Sequence, residues 1–527
     1  MNRRISLLAA GVALLAVASY AGQASAGGFY LMERGVRAAG RGSAFVAGAD
    51  DPASIYYNPA GLAFSGDQLL FDAALPLMQA TYTRVDSGGN TLPPVELSQV
   101  PLAIPSLAVS NDFGTEDWNF AAGVWAPNAV LSIWPDSVSV NGQPGPAPQR
   151  YSLIDLKGSL ITTIGVGISY QPIPQLSFGA TVGVTAGSFA ATTTMSSCDG
   201  AICTQPENPE YDALTQFKLP MFVAPHVSVG AIGHFGILRL GASFDAPFTI
   251  HGTASLRVRV PSAAAYENAT VQAGDGGAPT ANVNIPFAWV LRTGAEIRPV
   301  PSLRLEAGLE IQGWKRQDEI AITANDVYIR DVLAVGDYQV GPVVIPRHMR
   351  NTYAIRGGLE WDLGRVTLRG GLQYETSSFS NQYLNAMTLD SSKVILSGGI
   401  GVEVARGIHL DGVFAYSAMR DVTVTNSLVP QPNPIRPAST DPTYVGNGTY
   451  EMGAILIGGG MRIDFDARRA PAATPTPDAA AEGSIETPAE DSASLAPAAP
   501  APAAAPAQEP TPAPAPAPAR RRATSTR

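Results

Sequence analysis

Charge is scarce in this chain: 15% of its 527 residues are Asp, Glu, Lys or Arg, against roughly 25% in ordinary soluble proteins. Long apolar runs are missing as well, since no internal stretch reaches the roughly 18 residues that a membrane-spanning helix needs. Cysteine is nearly absent, with 2 residues, and the 5 histidines are dispersed at 226, 234, 251, 348 and 409, which gives no sequence basis for a metal centre or a cofactor. No Gly-x-Ser-x-Gly elbow occurs, so the commonest hydrolase signature is excluded, although barrel hydrolases need not use it. A formal charge of -10 argues against a nucleic-acid partner. What is abundant is hydrophobic residues, at 45%, and glycine, at 53. Apolar surface without spanning helices leaves a β-rich chain that turns one face toward lipid.

Residues 1–26 read as a secretory signal peptide. Arg3 and Arg4 supply the positive start, Leu7 to Val17 the apolar core, and Ala24-Ser25-Ala26 the small-residue cleavage site. The core is too short to cross a bilayer as a helix; the alternative is a retained anchor. Cys198 and Cys203, in SSCDGAICTQPENP, form a closely spaced pair in a polar segment of an exported chain. That predicts a small disulfide loop, with two free thiols as the alternative.

The remainder shows period-2 alternation. In LRLEAGLEIQ, Leu303, Leu305, Ala307, Leu309 and Ile311 share one face while Arg304, Glu306, Glu310 and Gln312 share the other. VTLRGGLQYE sets Val366, Leu368, Leu372 and Tyr374 against Thr367, Arg369, Gln373 and Glu375. TYAIRGGLEWD repeats the scheme, and a helix of period 3.6 cannot segregate these residues in this way. Fourteen such segments are predicted, near 67–84, 100–111, 118–128, 156–170, 176–194, 218–233, 236–258, 281–299, 302–317, 350–363, 365–378, 392–405, 408–424 and 447–466.

The gaps alternate too. After even-numbered segments they are short (FGTED, QPIPQ, GH, VPS, G and RG) and after odd-numbered ones long, as at 195–217, 318–349 and 425–446. Short turns at one end and long loops at the other predict a 14-stranded antiparallel transmembrane β-barrel of a Gram-negative outer membrane, with both termini periplasmic. A secreted β-sandwich would not explain that alternation. The domain reading is then signal peptide 1–26, N-terminal plug 27–66, barrel 67–466, and an Ala/Pro-rich tail 467–527 too low in complexity to bury a core. The tail is either a periplasmic spacer that touches the cell wall or a disordered appendage.

The plug reading follows from bore size: about eight strands already fill with side chains, so fourteen leave a lumen that needs an occupant. The segment GVRAAGRGSAFVAGADDPASIYYNP is rich in small residues that suit close packing, and its charges could pair with lumen acids. Asn58-Pro59 demands a turn, because proline fixes its own φ and drives the preceding residue toward extended backbone. That turn holds Tyr56, Tyr57 and Phe64 near the wall, either as part of a pocket for an amphipathic ligand or as anchors of the plug.

The same segment, with Gly28-Phe29 before it, Asn58-Pro59-Ala60 at its end, APNAV after the third strand and NGTYEMGAILIGGGMRIDF as the last strand, resembles the FadL family of outer-membrane transporters for long-chain fatty acids and other hydrophobic compounds. The resemblance spans roughly residues 27 to 466. It implies a hatch that blocks the lumen and meets the third strand, here WNFAAGVWAPNAV, where a kink opens the wall sideways. Gly123 and Pro127 are compatible with a bulge or kink there; close packing at Gly123 and a strand end at Pro127 are the alternatives.

The expected activity is passive uptake of hydrophobic molecules, without cofactor, metal or chemical step. Substrate contacts are expected at Phe29, Tyr30, Phe45, Tyr56, Tyr57, Leu131 and Trp134, the last two in the capture segment AVLSIWPDSV, and gating at Asn58, Pro59, Ala60, Gly123 and Pro127. Arg34, Arg37 and Arg41 either meet a fatty-acid headgroup or pair with lumen acids. Expected partners are hydrophobic small molecules, outer-membrane lipids and lipopolysaccharide, and the barrel-assembly machinery. That machinery would meet Phe465 as an internal rather than terminal closing aromatic. The rival functions are a general porin for hydrophilic solutes, a structural or adhesive barrel, and an outer-membrane enzyme.

Overall fold

The computed structural model describes residues 35–98, 103–128, 132–198, 200, 203–435 and 442–466. The signal peptide, Phe29, Tyr30, Arg34, Leu131 and the Ala/Pro-rich tail lie outside them. Among the described residues no helix is long and apolar enough to cross a membrane.

Fourteen strands make the wall: β1 (Gln68–Arg84), β2 (Ile104–Asn111), β3 (Trp118–Asn128), β4 (Leu160–Ile173), β5 (Leu176–Ser196), β6 (Asp212–Phe235) and β7 (Leu238–Asp245), then β8 (Val290–Val300), β9 (Leu303–Gln312), β10 (Thr352–Asp362), β11 (Val366–Glu375), β12 (Lys393–Ala405), β13 (Ile408–Met419) and β14 (Gly448–Asp464). Each pairs antiparallel with the next in sequence. The ring closes where β1 pairs with β14 from Gln68↔Asp464 to Arg84↔Gly448. Closure pairs every strand with a neighbour on each side, as a sheet immersed in lipid requires.

The burial pattern is inverted relative to a soluble protein. On β9, Leu305 and Leu309 are exposed while Arg304, Glu306 and Glu310 are buried; on β10, Ile355 and Trp361 are exposed while Arg356 and Glu360 are buried. The alternation read from the sequence therefore places apolar side chains outside and charged ones in the lumen.

Two predicted segments, 236–258 and 281–299, prove to be interrupted. β7 continues as Thr249–Arg259 after a break at 246–248, and Thr280–Pro286 precedes β8. Pro247 and Pro286, which lack the N–H a ladder needs, stand at these breaks, yet Phe287 N–H still donates to the Phe248 carbonyl at 2.8 Å. The ninth segment, predicted through 317, ends as a strand at Gln312; a tight turn, Trp314–Arg316, then leads into Glu319–Ala324. The Phe248 and Phe287 rings stack at 4.6 Å beside the two breaks.

Residues 35–66 run inside the ring. Helix α1 (Val36–Gly40) is followed by turns, helix α2 (Ser54–Tyr57) and a 3-10 turn at Pro59–Phe64. They reach opposite sides of the wall: Val36 N–H donates to Asp72 on β1 at 2.9 Å, Gly42 N–H to Ser397 on β12 at 3.0 Å, and Thr181 on β5 donates to the Ile55 carbonyl at 2.9 Å. Above them the inward faces turn apolar, with Phe217, Leu219, Phe222, Phe248, Ile250 and Trp314 in one buried cluster.

Candidate functional site

The Asn58-Pro59 turn forms as its residue types require. Asn58 is extended (φ -159°, ψ 102°), Pro59 opens the 3-10 turn, and the Asn58 side chain accepts from Ala60 N–H at 3.2 Å as an N-cap. Asn58 Nδ2 also donates to the carbonyls of Val46 at 2.9 Å and Ala231 on β6 at 3.2 Å. Gly179 and Gly230 supply the room: a Cβ on the first would collide with the Pro59 backbone, and on the second with Asn58 Oδ1.

Phe45, Tyr56 and Tyr57 pack together beside this turn and are buried, while Phe64 is part-buried. Phe45 stands edge-on to Tyr57 at 5.6 Å, and Tyr57 edge-on to Tyr56 at 4.9 Å. The Tyr57 hydroxyl lies 3.2 Å from Ser43 Oγ, and the Tyr57 carbonyl accepts from Ser243 at 2.7 Å. Tyr56 accepts from Arg292 on β8 at 2.8 Å and faces Trp125 on β3 at 6.3 Å. Phe64 lies under the Arg239 guanidinium at 4.3 Å.

A network of buried ion pairs fastens the other side. Arg37 pairs with Asp50 at 2.8 Å, Asp51 at 3.0 Å and Glu360 at 2.8 Å; Arg41 pairs with Glu296 at 2.8 Å and Glu306 at 3.1 Å. Both arginines therefore meet lumen or plug-segment acids. Glu306 receives three backbone N–H groups as well, from Val46 at 2.7 Å, Ala47 at 2.9 Å and Gly48 at 3.0 Å. Burial opposes ionisation of Asp50, but the Arg304, Arg37 and Arg239 guanidiniums outweigh it and hold its carboxyl far below the usual carboxylate range.

Beside this segment the wall is incomplete. The β2–β3 ladder ends at Leu107↔Val124, although both strands continue and Ile104 to Ser106 pair with β1. On its other edge, β3 shifts register against β4 between Trp125 and Asn128, the stretch that contains Pro127. Gly123 sits just below, where a Cβ would press on the Leu107 carbonyl at 3.1 Å. A cavity of about 30 Å³ occupies the spot, lined by Gly35, Asp72, Pro76, Ile104, Pro105, Trp125 and Ala126 among others.

At the long-loop end lies a larger cavity of about 380 Å³, within the range of small-molecule sites. Five loop or strand-top regions wall it: Tyr151, Met195 with Phe217, Val343 to Pro346, Met387, and the proline-rich run Val429 to Pro434. A smaller apolar cavity of about 50 Å³ shares Met195, Phe217, Ile322, Val343 and Pro434 with it, and Phe217 belongs to the apolar cluster below.

Cys198 and Cys203 are disulfide-bonded, and their loop supports the proline-rich wall. Asn433 Nδ2 donates to the Cys198 carbonyl at 2.7 Å, Gln431 Nε2 to the Pro206 carbonyl at 2.8 Å, and Ser196 N–H to the Pro432 carbonyl at 2.9 Å. Trp134 is buried away from this cavity; its indole N–H donates to the Ala386 carbonyl at 3.1 Å, in a cluster with Tyr82, Leu153 and Tyr450.

Sequence reasoning missed the cavity residues Met195, Phe217, Val343 and Met387. A signal existed in FKLPMF (217–222), where apolar residues occupy both faces and alternation fails. Among the described residues no cluster of His, Cys, Asp and Glu is disposed to hold a metal ion.

The model of one protein family, described as outer membrane protein transport protein (OMPP1/FadL/TodX), matches residues 17–465. Among solved structures, the chain is similar to a Pseudomonas aeruginosa FadL homologue (16% identity, TM-score 0.65, covering 83% of this chain and 100% of that one). It is also similar to the Pseudomonas putida toluene transporter TodX (15%, 0.55, 83% and 100%) and the Ralstonia pickettii toluene transporter TbuX (16%, 0.54, 82% and 99%). No curated protein sequence matches. At these identities the structural likeness carries the closed barrel alone.

Proposed function

Because the chain belongs to the OMPP1/FadL/TodX family of outer-membrane transport proteins, we propose that it carries hydrophobic small molecules, long-chain fatty acids or hydrocarbons, passively across the outer membrane. The observation that carries this reading is the apolar continuity from the 380 Å³ cavity through the 50 Å³ one into the cluster around Phe217 and Phe222. A hydrophilic solute gains nothing there, whereas an alkyl chain gains about 0.8 kcal/mol per buried CH₂.

In this reading the long loops are extracellular and both barrel ends of the chain periplasmic, as in other outer-membrane barrels. Ligand enters the mouth cavity and descends along the apolar cluster. Residues 35–66 act as the plug, and the aromatic group of Phe45, Tyr56, Tyr57 and Trp125 forms the last apolar surface above the gap. Release is sideways, past Pro105 and Ala126, into lipid. Support for lateral release comes from the ladder end at Leu107↔Val124, the register shift before Asn128 and the cavity between them. The plug then alternates between states that hold the ligand differently, with Asn58, Pro59 and Ala60 as its pivot on β5 and β6. A concentration gradient supplies the driving force.

Uptake of a radiolabelled long-chain fatty acid and of toluene into cells or proteoliposomes tests this, alongside single-channel recording. Ligand uptake with negligible steady conductance supports the reading; a large steady ion conductance without hydrophobic uptake replaces it with a porin.

A further inference from the structure

The outward face of the wall carries exposed cations that the transport path does not use. Lys218 on β6 is in register with Ser255, and Arg257 and Arg259 follow two and four positions along the same strand edge. All three are exposed, whereas Ala254 and Leu256, on the opposite face of the same strand, are buried, so the cations point away from the lumen. Same-face neighbours on a strand are roughly 7 Å apart and diagonal cross-strand neighbours roughly 7–8 Å. Three like charges at that spacing repel, and among the described residues none of them has an ion-pair partner.

A second group sits on the neighbouring wall. Lys315 and Arg316 close the turn after β9, and Arg350 precedes β10. Gln312↔Thr352 pairing and the hydrogen bond from Lys315 N–H to Asn351 at 3.1 Å bring them together. All three are exposed and again have no ion-pair partner among the described residues.

Both groups border the lipid-facing band. Lys218 stands three residues before Met221, which is 71% exposed, and Arg350 three residues before Tyr353, which is 49% exposed. Exposed acids, Asp318 and Glu319, stand beside the second group as well; on the short-turn rim Glu116 and Asp117 share one turn, with Arg365 and Arg406 single in others.

We infer that the long-loop rim of β6, β7, β9 and β10 is a binding surface for a phosphorylated glycolipid headgroup of the outer leaflet. The acyl chains lie against Met221, Val223, Tyr353 and Ile355, and the phosphates neutralise the two cation groups. Arginine's planar fork suits phosphate, and an anion removes the repulsion that the unpaired cations otherwise carry. The inference rests on the orientation adopted above, with the long loops outside the cell.

The test uses the full-length protein in detergent, titrated with a bis-phosphorylated, acylated glucosamine disaccharide lipid, the same lipid dephosphorylated, and inorganic phosphate. K218Q/R257Q/R259Q and K315Q/R316Q/R350Q are each expected to bind the phosphorylated lipid roughly tenfold or more weakly, with the charge-preserving K218R retaining wild-type binding. Rising salt is expected to weaken wild-type binding. Heat-modifiable migration on gels verifies that each variant barrel is folded. Equal binding by the neutralised variants, equal binding of the dephosphorylated lipid, or equally strong competition by inorganic phosphate overturns the headgroup site. Labelling of Asp136→Cys in intact cells reports the orientation separately: an unlabelled loop overturns the orientation and the inference with it. A labelled loop with unchanged lipid binding overturns the headgroup site alone.

Discussion

The Asn58 side-chain amide donates to the Ala231 carbonyl at 3.2 Å, and it fits against β6 because the adjacent wall residue, Gly230, has no Cβ to strike Asn58 Oδ1. The plug's turn and two wall glycines thus form one interlocked contact, which neither partner's sequence announces alone.

Gly230→Ala and Gly179→Ala are therefore expected to lift the turn from the wall, while Gly453→Ala, which meets nothing within 4 Å, leaves it seated. Asn58→Ala strands buried backbone groups at a cost of about 1–3 kcal/mol. Amide exchange across residues 54–62 should rise in Gly230→Ala, Gly179→Ala and Asn58→Ala, but not in Gly453→Ala, with the barrel still heat-modifiable. Unchanged exchange would remove the glycine contact from the account.

Glu306 holds four donors, three of them backbone N–H groups of residues 46–48. Glu306→Gln leaves the buried Arg41 with one fewer counter-charge, a change on the scale of about 3–5 kcal/mol for a broken buried pair. Faster exchange at Val46 to Gly48 and frequent conductance openings are the expected readouts.

Anchoring through Asp50 should be indifferent to mild acid. Asp50's carboxyl titrates below its unfolded value, so its contribution is present above the unfolded pKa and is lost only as pH falls through the lower folded one. Between about pH 8 and pH 5, well above the ordinary Asp value of about 3.9, Asp50 should cause no release of residues 35–66. Limited proteolysis or exchange across that window checks it.

Two substitutions separate capture from release. Val343→Asp in the mouth cavity is expected to weaken ligand binding by about 1.5–3 kcal/mol, the worth of a buried apolar contact. Ala126→Trp overfills the cavity beside the gap at about 1–3 kcal/mol, so uptake should fall roughly tenfold while binding at the mouth is unchanged. Equal uptake by Ala126→Trp and wild type would sink lateral release at this position.

Cys198→Ser with Cys203→Ser should loosen the loop that supports Gln431 to Asn433 by about 2 kcal/mol. The expected outcome is weaker ligand capture without change in barrel stability, read by equilibrium binding and thermal gel shift; reductant should have the same effect on the wild type.

Much of the wall was legible in advance, for a local reason. A strand buried in lipid on one face and in a lumen on the other must alternate every second residue, so LRLEAGLEIQ and TYAIRGGLEWD declared both their pairing state and their inverted polarity. Loop lengths added the strand order, because antiparallel neighbours need only a short turn at one end. The Asn58-Pro59 turn was readable too, since proline constrains backbone within two residues.

The site was less legible because its determinants are distant in sequence. Trp134 looked like a capture residue by composition, yet its indole N–H is satisfied by Ala386, 252 positions away. The mouth cavity draws Phe217, Val343, Met387 and Pro432 from separate segments, and only barrel closure brings them to one rim. Period and turn chemistry, which act between near neighbours, determined from sequence alone that this chain makes a lipid-facing barrel. Which side chains share the lumen and which acid holds Arg41 were decided by closure, because those contacts join residues hundreds of positions apart, and where β2 parts from β3 was decided by how each strand registers with its other neighbour.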